Sequence, residues 1–227
     1  MIRVTKNLAL ISDLLAIAAR EAGRDPDTVK LLAVSKKQPV DKILAAAAAG
    51  QRDFGENFVH EGLDKIHATA AEDLTWHFIG HLQGNKTRAV AENFDWVHTI
   101  DKLKIAKRLS SQRPDDRPAL NVCLQVNVDA EETKSGVSVD GLPELAAACT
   151  ELPNIRLRGL MCLPAIRQGF EAQREPFARL RELALQLERS GLTLDTLSMG
   201  MSADFRAAIF EGATIVRIGT ALFGERT

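Results

Sequence analysis

The stretch TLDTLSMGMSADFRAAIFEGATIVRIGT, residues 193–220, decides the fold class. Residues 193–198 and 214–218 are short runs of apolar and β-branched side chains that predict strands, and residues 203–211 between them have helical periodicity. A helix that connects two consecutive strands returns the chain in the same direction. The two strands are therefore expected to lie parallel to each other.

The same alternation of strand and helix extends upstream to about residue 31. Further strands are predicted at residues 31–35, 52–54, 76–79, 95–99, 120–128 and 156–163. Helices are predicted after them at residues 40–49, 58–71, 85–92, 102–110, 142–151 and 170–189. An amphipathic helix within the first 23 residues precedes the series, and a short tail at residues 221–227 follows it.

This alternation predicts an α/β fold, a single parallel (β/α)8 barrel of the TIM type with an extra N-terminal helix. The length of 227 residues is close to the roughly 250 that are usual for such a barrel, so one domain is expected over residues 1–227. A doubly wound open sheet is the alternative. Its first strand is usually followed by a Gly-rich dinucleotide-binding turn, whereas Lys36, Lys37, Gln38 and Pro39 stand at that place here.

The composition argues against several classes of partner and compartment. Lys and Arg number 29 against 30 Asp and Glu, without a basic block, so nucleic acid is not an expected partner. No run reaches the roughly 18 apolar residues of a membrane span, and charges interrupt the first helix, which is unlike a signal peptide. Cys123, Cys149 and Cys162 each lie in an apolar stretch and are predicted to be buried thiols of a cytoplasmic protein.

Glycine and hydroxyl residues follow the last two predicted strands. The active site of an α/β barrel lies at the carboxyl ends of its strands, and a phosphate commonly binds at the loops after strands seven and eight. Gly200 and Ser202 follow the seventh strand, and Gly219 and Thr220 follow the eighth. Free backbone N–H groups at two helix starts favour an anion, so we predict a phosphate-bearing ligand. The alternative is that Ser202 is only a helix cap and Gly219 only a turn residue.

Two cationic residues lie at strand ends in the same layer. Lys36 follows the first strand, and a desolvated amine there is suited to Schiff-base formation with a carbonyl group. A solvated surface lysine is the alternative, and Lys37 competes for the role. Arg217 lies on the eighth strand and is either a ligand contact or a salt-bridged barrel residue. His77 and His81 fall on and after a strand, where four residues span about 13 Å, so we assign no metal site.

At this point several motifs resemble those of the pyridoxal phosphate homeostasis proteins, the YggS/PROSC family. The resemblance runs from about residue 30 to 225, which is nearly the whole chain. It rests on LAVSK at 32–36, FGEN at 54–57, WHFIG at 76–80, QGNK at 83–86, KSG at 134–136, RGLM at 158–161, LSMGMS at 197–202 and VRIGTALFG at 216–224.

The resemblance implies that the cofactor is pyridoxal 5′-phosphate and that Lys36 holds it as a Schiff base. By the same resemblance Ser202, Gly219 and Thr220 hold the phosphate and Arg217 faces the pyridine nitrogen. Asn57 and Met199 are implied to line the cofactor, with His77 and Met201 as weaker candidates for the same wall. One departure is visible after Ser35, where the family motif reads Lys-Thr-Lys and this chain has Lys36, Lys37 and Gln38. The resemblance therefore does not support a role for a second lysine near Lys36.

The family's fold is similar to the barrel domain of alanine racemase, so a fold-type III pyridoxal phosphate enzyme such as an amino-acid racemase is the rival function. The sequence contains no tyrosine and so lacks the tyrosine base of those racemases, and it ends soon after the eighth strand, with no second domain. Arg217 beside the ring nitrogen would also weaken the ring as an electron sink, but racemases similarly use an arginine, so this point alone does not separate the two functions. We therefore expect a non-catalytic, monomeric carrier that stores, delivers or scavenges the cofactor, with apo-enzymes as candidate recipients. A scaffold without a ligand is the third possibility.

Overall fold

A computed structural model of the chain describes residues 2–131 and 135–225. Lys134 of the KSG motif lies outside the described residues. The strands are β1 (Lys30–Val34), β2 (Asp53–Glu56), β3 (Thr75–Phe78), β4 (Trp96–Ile100), β5 (Leu120–Gln125), β6 (Ile155–Met161), β7 (Thr196–Ser198) and β8 (Ile215–Ile218). The helices are α1 (Ile2–Glu21), α2 (Val40–Ala48), α3 (Val59–Ala68), α4 (Thr87–Asn93), α5 (Leu103–Gln112), α6 (Leu142–Thr150), α7 (Phe170–Arg189), α8 (Phe205–Phe210) and α9 (Thr220–Phe223).

The strands form a closed parallel barrel in the order β1 to β8. Each strand pairs with the next in the chain, and β8 pairs with β1 in a register that places Arg217 opposite Leu32. The predicted barrel is therefore confirmed, and the open sheet is excluded.

Most element boundaries differ from the predicted ones by one to three residues. The largest differences in the strands are three residues each, at the end of β5 and at the start of β7. After Gln125 the backbone N–H of Val126 still donates to Met161 O, but that of Asn127 donates to Val137 O. The predicted strand at 193–198 begins only at Thr196.

Side chains alternate between the barrel interior and the layer beneath the helices, as the twofold periodicity of a strand requires. Two small apolar clusters fill the interior, one of Leu32, Ile79 and Ile215 and the other of Trp96, Cys123 and Met161. A much larger cluster lies between the barrel and the helices. All three cysteines are buried and unpaired, as predicted, and burial raises the pKa of Cys123 and Cys162 to about 12. Neither thiol is therefore a nucleophile near neutral pH.

The N-terminal helix covers the seam at which the barrel closes. α9 is only four residues long, and α1 packs against α2, α8 and α9, between the helices that flank β8 and β1. Asn7 Nδ2 donates a hydrogen bond of 2.9 Å to the carbonyl oxygen of Leu222, and Arg206 forms an ion pair of 3.0 Å with Glu21. The predicted extra helix thus takes the place of the eighth outer helix.

None of the helices in residues 2–131 and 135–225 combines the length and the apolar character that crossing a bilayer would demand.

Candidate functional site

A cavity of about 210 Å³ opens at the carboxyl ends of the strands. Its lining includes six of the residues predicted from sequence to bind the cofactor, namely Lys36, Asn57, Ser202, Arg217, Gly219 and Thr220. Apolar side chains complete the walls, contributed by Val34, Ile79, Met161, Leu163 and Met201. Residues from six different strands or strand ends therefore converge on one cavity.

Two candidates lie elsewhere. Met199 is fully buried and belongs to the core beneath the helices, because Ser198 before it points into the barrel. His77 is fully buried inside the barrel, where it contacts Asp53 and His98 and does not line the cavity. The structure thus places Met199 and His77 outside the lining of this cavity. Within the described ranges, no group of three or more His, Cys, Asp or Glu side chains is arranged to hold a metal ion.

The backbone on either side of Lys36 is anchored by charged side chains. Ser35 Oγ donates a hydrogen bond of 2.6 Å to Glu56 Oε1, and Lys65 Nζ donates to Ser35 O at 2.7 Å and to Glu56 Oε1 at 2.8 Å. Lys65 also pairs with Glu61 at 2.6 Å, and Glu61 accepts a hydrogen bond from the backbone N–H of Lys37. We refer to Ser35, Glu56, Glu61 and Lys65 as the Lys36 anchor.

The Lys36 anchor is buried at its centre. The side chains of Lys65 and Glu56 are 6% and 0% exposed. Burial raises the pKa of Glu56, although the hydrogen bonds from Lys65 and Ser35 oppose the rise. Its second oxygen, Oε2, is buried and has no hydrogen-bond partner among the residues that the structure describes. This cluster was not predicted from the sequence. The available signal was a Glu at the end of a strand, Glu56, followed nine residues later by a Lys on a helix, Lys65.

Lys36 and Lys37 occupy different environments. Lys36 is partly buried and lines the cavity, whereas Lys37 is exposed, has a φ of 56° and faces a separate groove with Glu61 and Asp64. Alternation along β1 explains the difference, since Val34 and Lys36 share one side of the chain.

The glycines of the two loops lie in crowded surroundings. Gly200 has a φ of 90°, and a Cβ there would lie 2.6 Å from Ala208 Cβ. At Gly219 a Cβ would lie 3.0 Å from the carbonyl oxygen of Val34. Thr220 and the residues after it open α9, and the first N–H groups of a helix have no acceptor within it. These N–H groups and the hydroxyls of Ser202 and Thr220 suit an anionic group at this end of the cavity.

Arg217 supplies a charged group to the lining of the cavity. It is 4% exposed, and its guanidinium donates hydrogen bonds of 2.8 Å to Ser198 Oγ and 2.9 Å to the carbonyl oxygen of Cys162. Burial lowers its pKa from an ordinary value so high that the group stays a cation and can only donate hydrogen bonds. Among the described residues no carboxylate lies within ion-pair distance of it.

The donor set fits a planar aromatic aldehyde that carries a phosphate. Apolar walls suit the ring, the amine of Lys36 suits the aldehyde, and the guanidinium suits a ring nitrogen with a lone pair. Hydroxyl and backbone donors remain for the phosphate. Asn57 also lines a neighbouring cavity of about 460 Å³ with exposed Phe58, His81 and Lys86, so the two cavities adjoin.

The alanine racemase N-terminal domain family matches residues 11–227 of the chain. Curated relatives include the pyridoxal phosphate homeostasis proteins of Pseudomonas aeruginosa and Escherichia coli strain K12. The first is 57% identical over 226 residues that cover 100% of this chain and 97% of the relative. The second is 50% identical over 226 residues that cover 98% of this chain and 97% of the relative.

Solved structures with a similar fold are also found. PipY of Synechococcus elongatus, solved with pyridoxal phosphate bound, is similar with a TM-score of 0.85 and 36% identity, covering 97% of this chain and 100% of that one. An alanine racemase of Corynebacterium glutamicum has a TM-score of 0.71 at 18% identity, covering 96% of this chain and 62% of that one. This second likeness concerns the fold alone.

Proposed function

The chain belongs to the alanine racemase N-terminal domain family and, within it, to the pyridoxal phosphate homeostasis proteins, and from this premise we propose that it binds pyridoxal 5′-phosphate at the carboxyl end of its barrel. The cofactor would be held there for intracellular storage, delivery or scavenging, and not for the turnover of amino acids.

One observation supports the site above all others, namely the convergence of Lys36, Arg217 and Thr220 on a single cavity. The three residues come from β1, β8 and the start of α9 and supply three different kinds of group. Ser202, Gly219 and Thr220 would hold the phosphate, Arg217 would donate to the ring nitrogen, and Asn57 would contact the ring. The bound cofactor supplies an electrophilic aldehyde.

Lys36 would hold the cofactor covalently as a Schiff base. The amine of Lys36 would supply the nucleophile and the cofactor the aldehyde, and their condensation to a C=N bond would release one molecule of water. No oxidant or reductant is required. The Lys36 anchor fixes the main chain from which this side chain projects.

The lining of the cavity supports a non-catalytic role. Apart from Lys36 and Arg217, the described residues that line it include no titratable side chain. A racemase needs a second proton donor on the face opposite its lysine, and the sequence contains no tyrosine for that position.

Absorbance spectroscopy with borohydride reduction tests this proposal. The protein mixed with pyridoxal phosphate should develop a yellow chromophore that reduction bleaches, and peptide mapping should find the label on Lys36. Lys36→Ala should abolish the chromophore and Lys37→Ala, the matched control, should retain it. A label on Lys37, or no chromophore at all, would refute the assignment.

A second assay separates the carrier from the racemase. The charged protein should transfer its cofactor to an added apo-enzyme while leaving L-alanine, L-serine and L-lysine unracemised in chiral chromatography. Racemisation near one turnover per second, the low end of ordinary enzymes, that disappears in Lys36→Ala would overturn the carrier role.

A further inference from the structure

A row of buried polar side chains crosses the barrel interior and ends at Arg217. Arg217 Nη1 lies 2.8 Å from Ser198 Oγ, and Ser198 Oγ lies 2.8 Å from His98 Nδ1. His98 Nε2 lies 2.9 Å from His77 Nδ1, and His77 Nε2 lies 3.0 Å from Asp53 Oδ1. We call these five residues the interior chain. They come from β8, β7, β4, β3 and β2.

The interior chain is enclosed where it passes through the barrel. Ser198, His98 and His77 are 0% exposed. Asp53, the first residue of β2, is 8% exposed and also pairs with Lys30 at 3.2 Å, whose side chain is half exposed. The row therefore runs from the amino end of the barrel to the cavity at its carboxyl end.

The two ends of the row fix the direction of every hydrogen bond in it. A guanidinium only donates, and an ionised carboxylate only accepts. The hydrogen bonds from His77 and the charge of Lys30 hold the pKa of Asp53 below its ordinary value, against the effect of burial. Burial lowers the pKa of both histidines, most strongly that of His98, so each ring carries one proton near neutral pH.

One proton arrangement satisfies all four contacts. His77 donates from Nε2 to Asp53 and so must accept at Nδ1, which requires His98 to donate from its own Nε2. His98 Nδ1 then accepts from the Ser198 hydroxyl, whose oxygen accepts from Arg217. Each interior member donates one hydrogen bond and accepts one, and buried polar groups in such a satisfied network are held in a single geometry.

We propose that Asp53, His77, His98 and Ser198 are positioning residues that hold Arg217 as an oriented hydrogen-bond donor toward the ring nitrogen of the cofactor. This inference rests on the proposed function for the identity of the ligand. The interior chain fixes Nη1 of Arg217, and the carbonyl oxygen of Cys162 fixes Nη2. The remaining N–H donors of the guanidinium are then directed by the geometry of these two bonds rather than by the ligand.

The proton arrangement can be measured without any ligand. Nitrogen-15 NMR of histidine-labelled protein distinguishes the two neutral tautomers of an imidazole. His77 and His98 should both carry their proton on Nε2, and Ser198→Ala should alter the shift of His98 Nδ1 most. A proton on Nδ1 of either ring would overturn the directed chain.

The effect on Arg217 can be measured as a ratio of affinities. Pyridoxal phosphate is compared with an analogue in which a C–H group replaces the ring nitrogen and which therefore cannot accept from Arg217. We expect the wild-type protein to prefer pyridoxal phosphate by about tenfold or more, the usual effect of one charged hydrogen bond. In Ser198→Ala the preference should fall below about threefold.

Thr196→Val is the matched control, because Thr196 is a buried hydroxyl residue two positions from Ser198 on β7 that donates to Asp195 and lies outside the interior chain. It should keep the wild-type ratio. His98→Phe, which retains a ring in the same packing, should lower the ratio as Ser198→Ala does. Adding Ser198→Ala to Arg217→Met should cause no further loss.

The possible outcomes show whether the inference about Arg217 fails or the proposed cofactor-binding function fails. If the wild-type protein binds neither compound, the proposed function fails. If it prefers pyridoxal phosphate and Ser198→Ala weakens both compounds equally, only the inference fails. If the wild-type protein binds both compounds equally, Arg217 does not face the ring nitrogen, and the inference is overturned while cofactor binding stands.

Discussion

Thr220 is both the first residue of α9 and part of the cavity lining. If its hydroxyl donates to the phosphate, Thr220→Val should weaken binding of pyridoxal phosphate by roughly tenfold to a hundredfold, since a hydrogen bond to a charged group contributes about 1.5 to 3 kcal/mol. Binding of unphosphorylated pyridoxal should change little. Isothermal titration of both ligands measures this, with Thr150→Val on the exposed face of α6 as the control. Equal losses for the two ligands would place the phosphate elsewhere.

Gly200 and Gly191 form a natural pair for separating backbone strain from crowding. Both have positive φ, 90° and 99°, but a Cβ at Gly200 would collide with Ala208 and one at Gly191 would meet nothing within 4 Å. Gly191→Ala should therefore cost about 1 to 2 kcal/mol of unfolding free energy, the strain alone. Gly200→Ala should cost more and should also weaken cofactor binding. Urea unfolding and ligand titration check both expectations, and equal costs would contradict the crowding argument.

The site residues at strand ends could be predicted from the sequence for two reasons. Side chains alternate along any strand, and the site of an α/β barrel lies at the carboxyl ends of its strands. Lys36, Ser202, Gly219 and Thr220 were found in this way, and all four line the cavity. Met199, which only the family resemblance implied, lies outside the lining, and strand alternation accounts for its position. Ser198 points inward to Arg217, so its neighbour must point outward.

At the level of the element, α3 supports the loop that carries Lys36. Lys65→Met would leave the buried carboxylate of Glu56 without its cation, which should cost about 3 to 5 kcal/mol of unfolding free energy. Cofactor affinity should fall as well, because Lys65 also binds Ser35 O. Chemical unfolding of the single variant and of Lys65→Met/Glu56→Met tests this.

The double variant should recover most of the lost stability, since a well-packed apolar pair can replace a buried ion pair at little cost. Arg88→Met is the control for loss of an ion pair at the surface, because Arg88 and Glu92 are both exposed, and it should cost less than about 1 kcal/mol. A Lys65→Met cost as small as that of Arg88→Met would show that the Lys36 anchor does not support the loop.

The order and type of the elements followed from hydrophobic periodicity, whereas their ends depended on tertiary contacts. The second strand was predicted to end at residue 54, but β2 continues to Glu56, because a cation on α3 neutralises this buried carboxylate. Apolar patterns do not contain that information. The interior chain was missed for the same reason, since His98 and Ser198 are 100 residues apart in sequence and meet only when the barrel closes.

For the whole molecule, two buried neutral histidines make stability depend on pH. Their pKa values are lowered in the folded protein, so their contribution to stability is present above the ordinary value of about 6.5 and is lost as the pH falls below it. Unfolding free energy should decrease between pH 6.5 and pH 5 by up to about 1.4 kcal/mol per pH unit for each histidine.

His98→Phe should show a shallower decrease over the same range, because one of the two groups is removed. Guanidinium unfolding at several pH values gives the unfolding free energy of both proteins. The difference between the two free energies removes the contribution of the titratable groups that the proteins share. A variant as steep as the wild type would mean that His98 is already protonated in the folded state.

The position of α1 has a consequence for synthesis on the ribosome. The first helix finds its partners in α8 and α9, and its contacts from Asn7 to Leu222 and from Glu21 to Arg206 join residues 215 and 185 positions apart. Until translation reaches these late segments, the apolar face of α1, with Val4, Leu8, Ile11 and Leu15, has α2 but neither α8 nor α9 to pack against. A stalled nascent chain that stops before α8 should therefore keep this helix sensitive to protease and available to chaperones, which bind exposed apolar segments. Protection of α1 only after α8 and α9 have been made would show that a segment made before the barrel strands becomes structured after them.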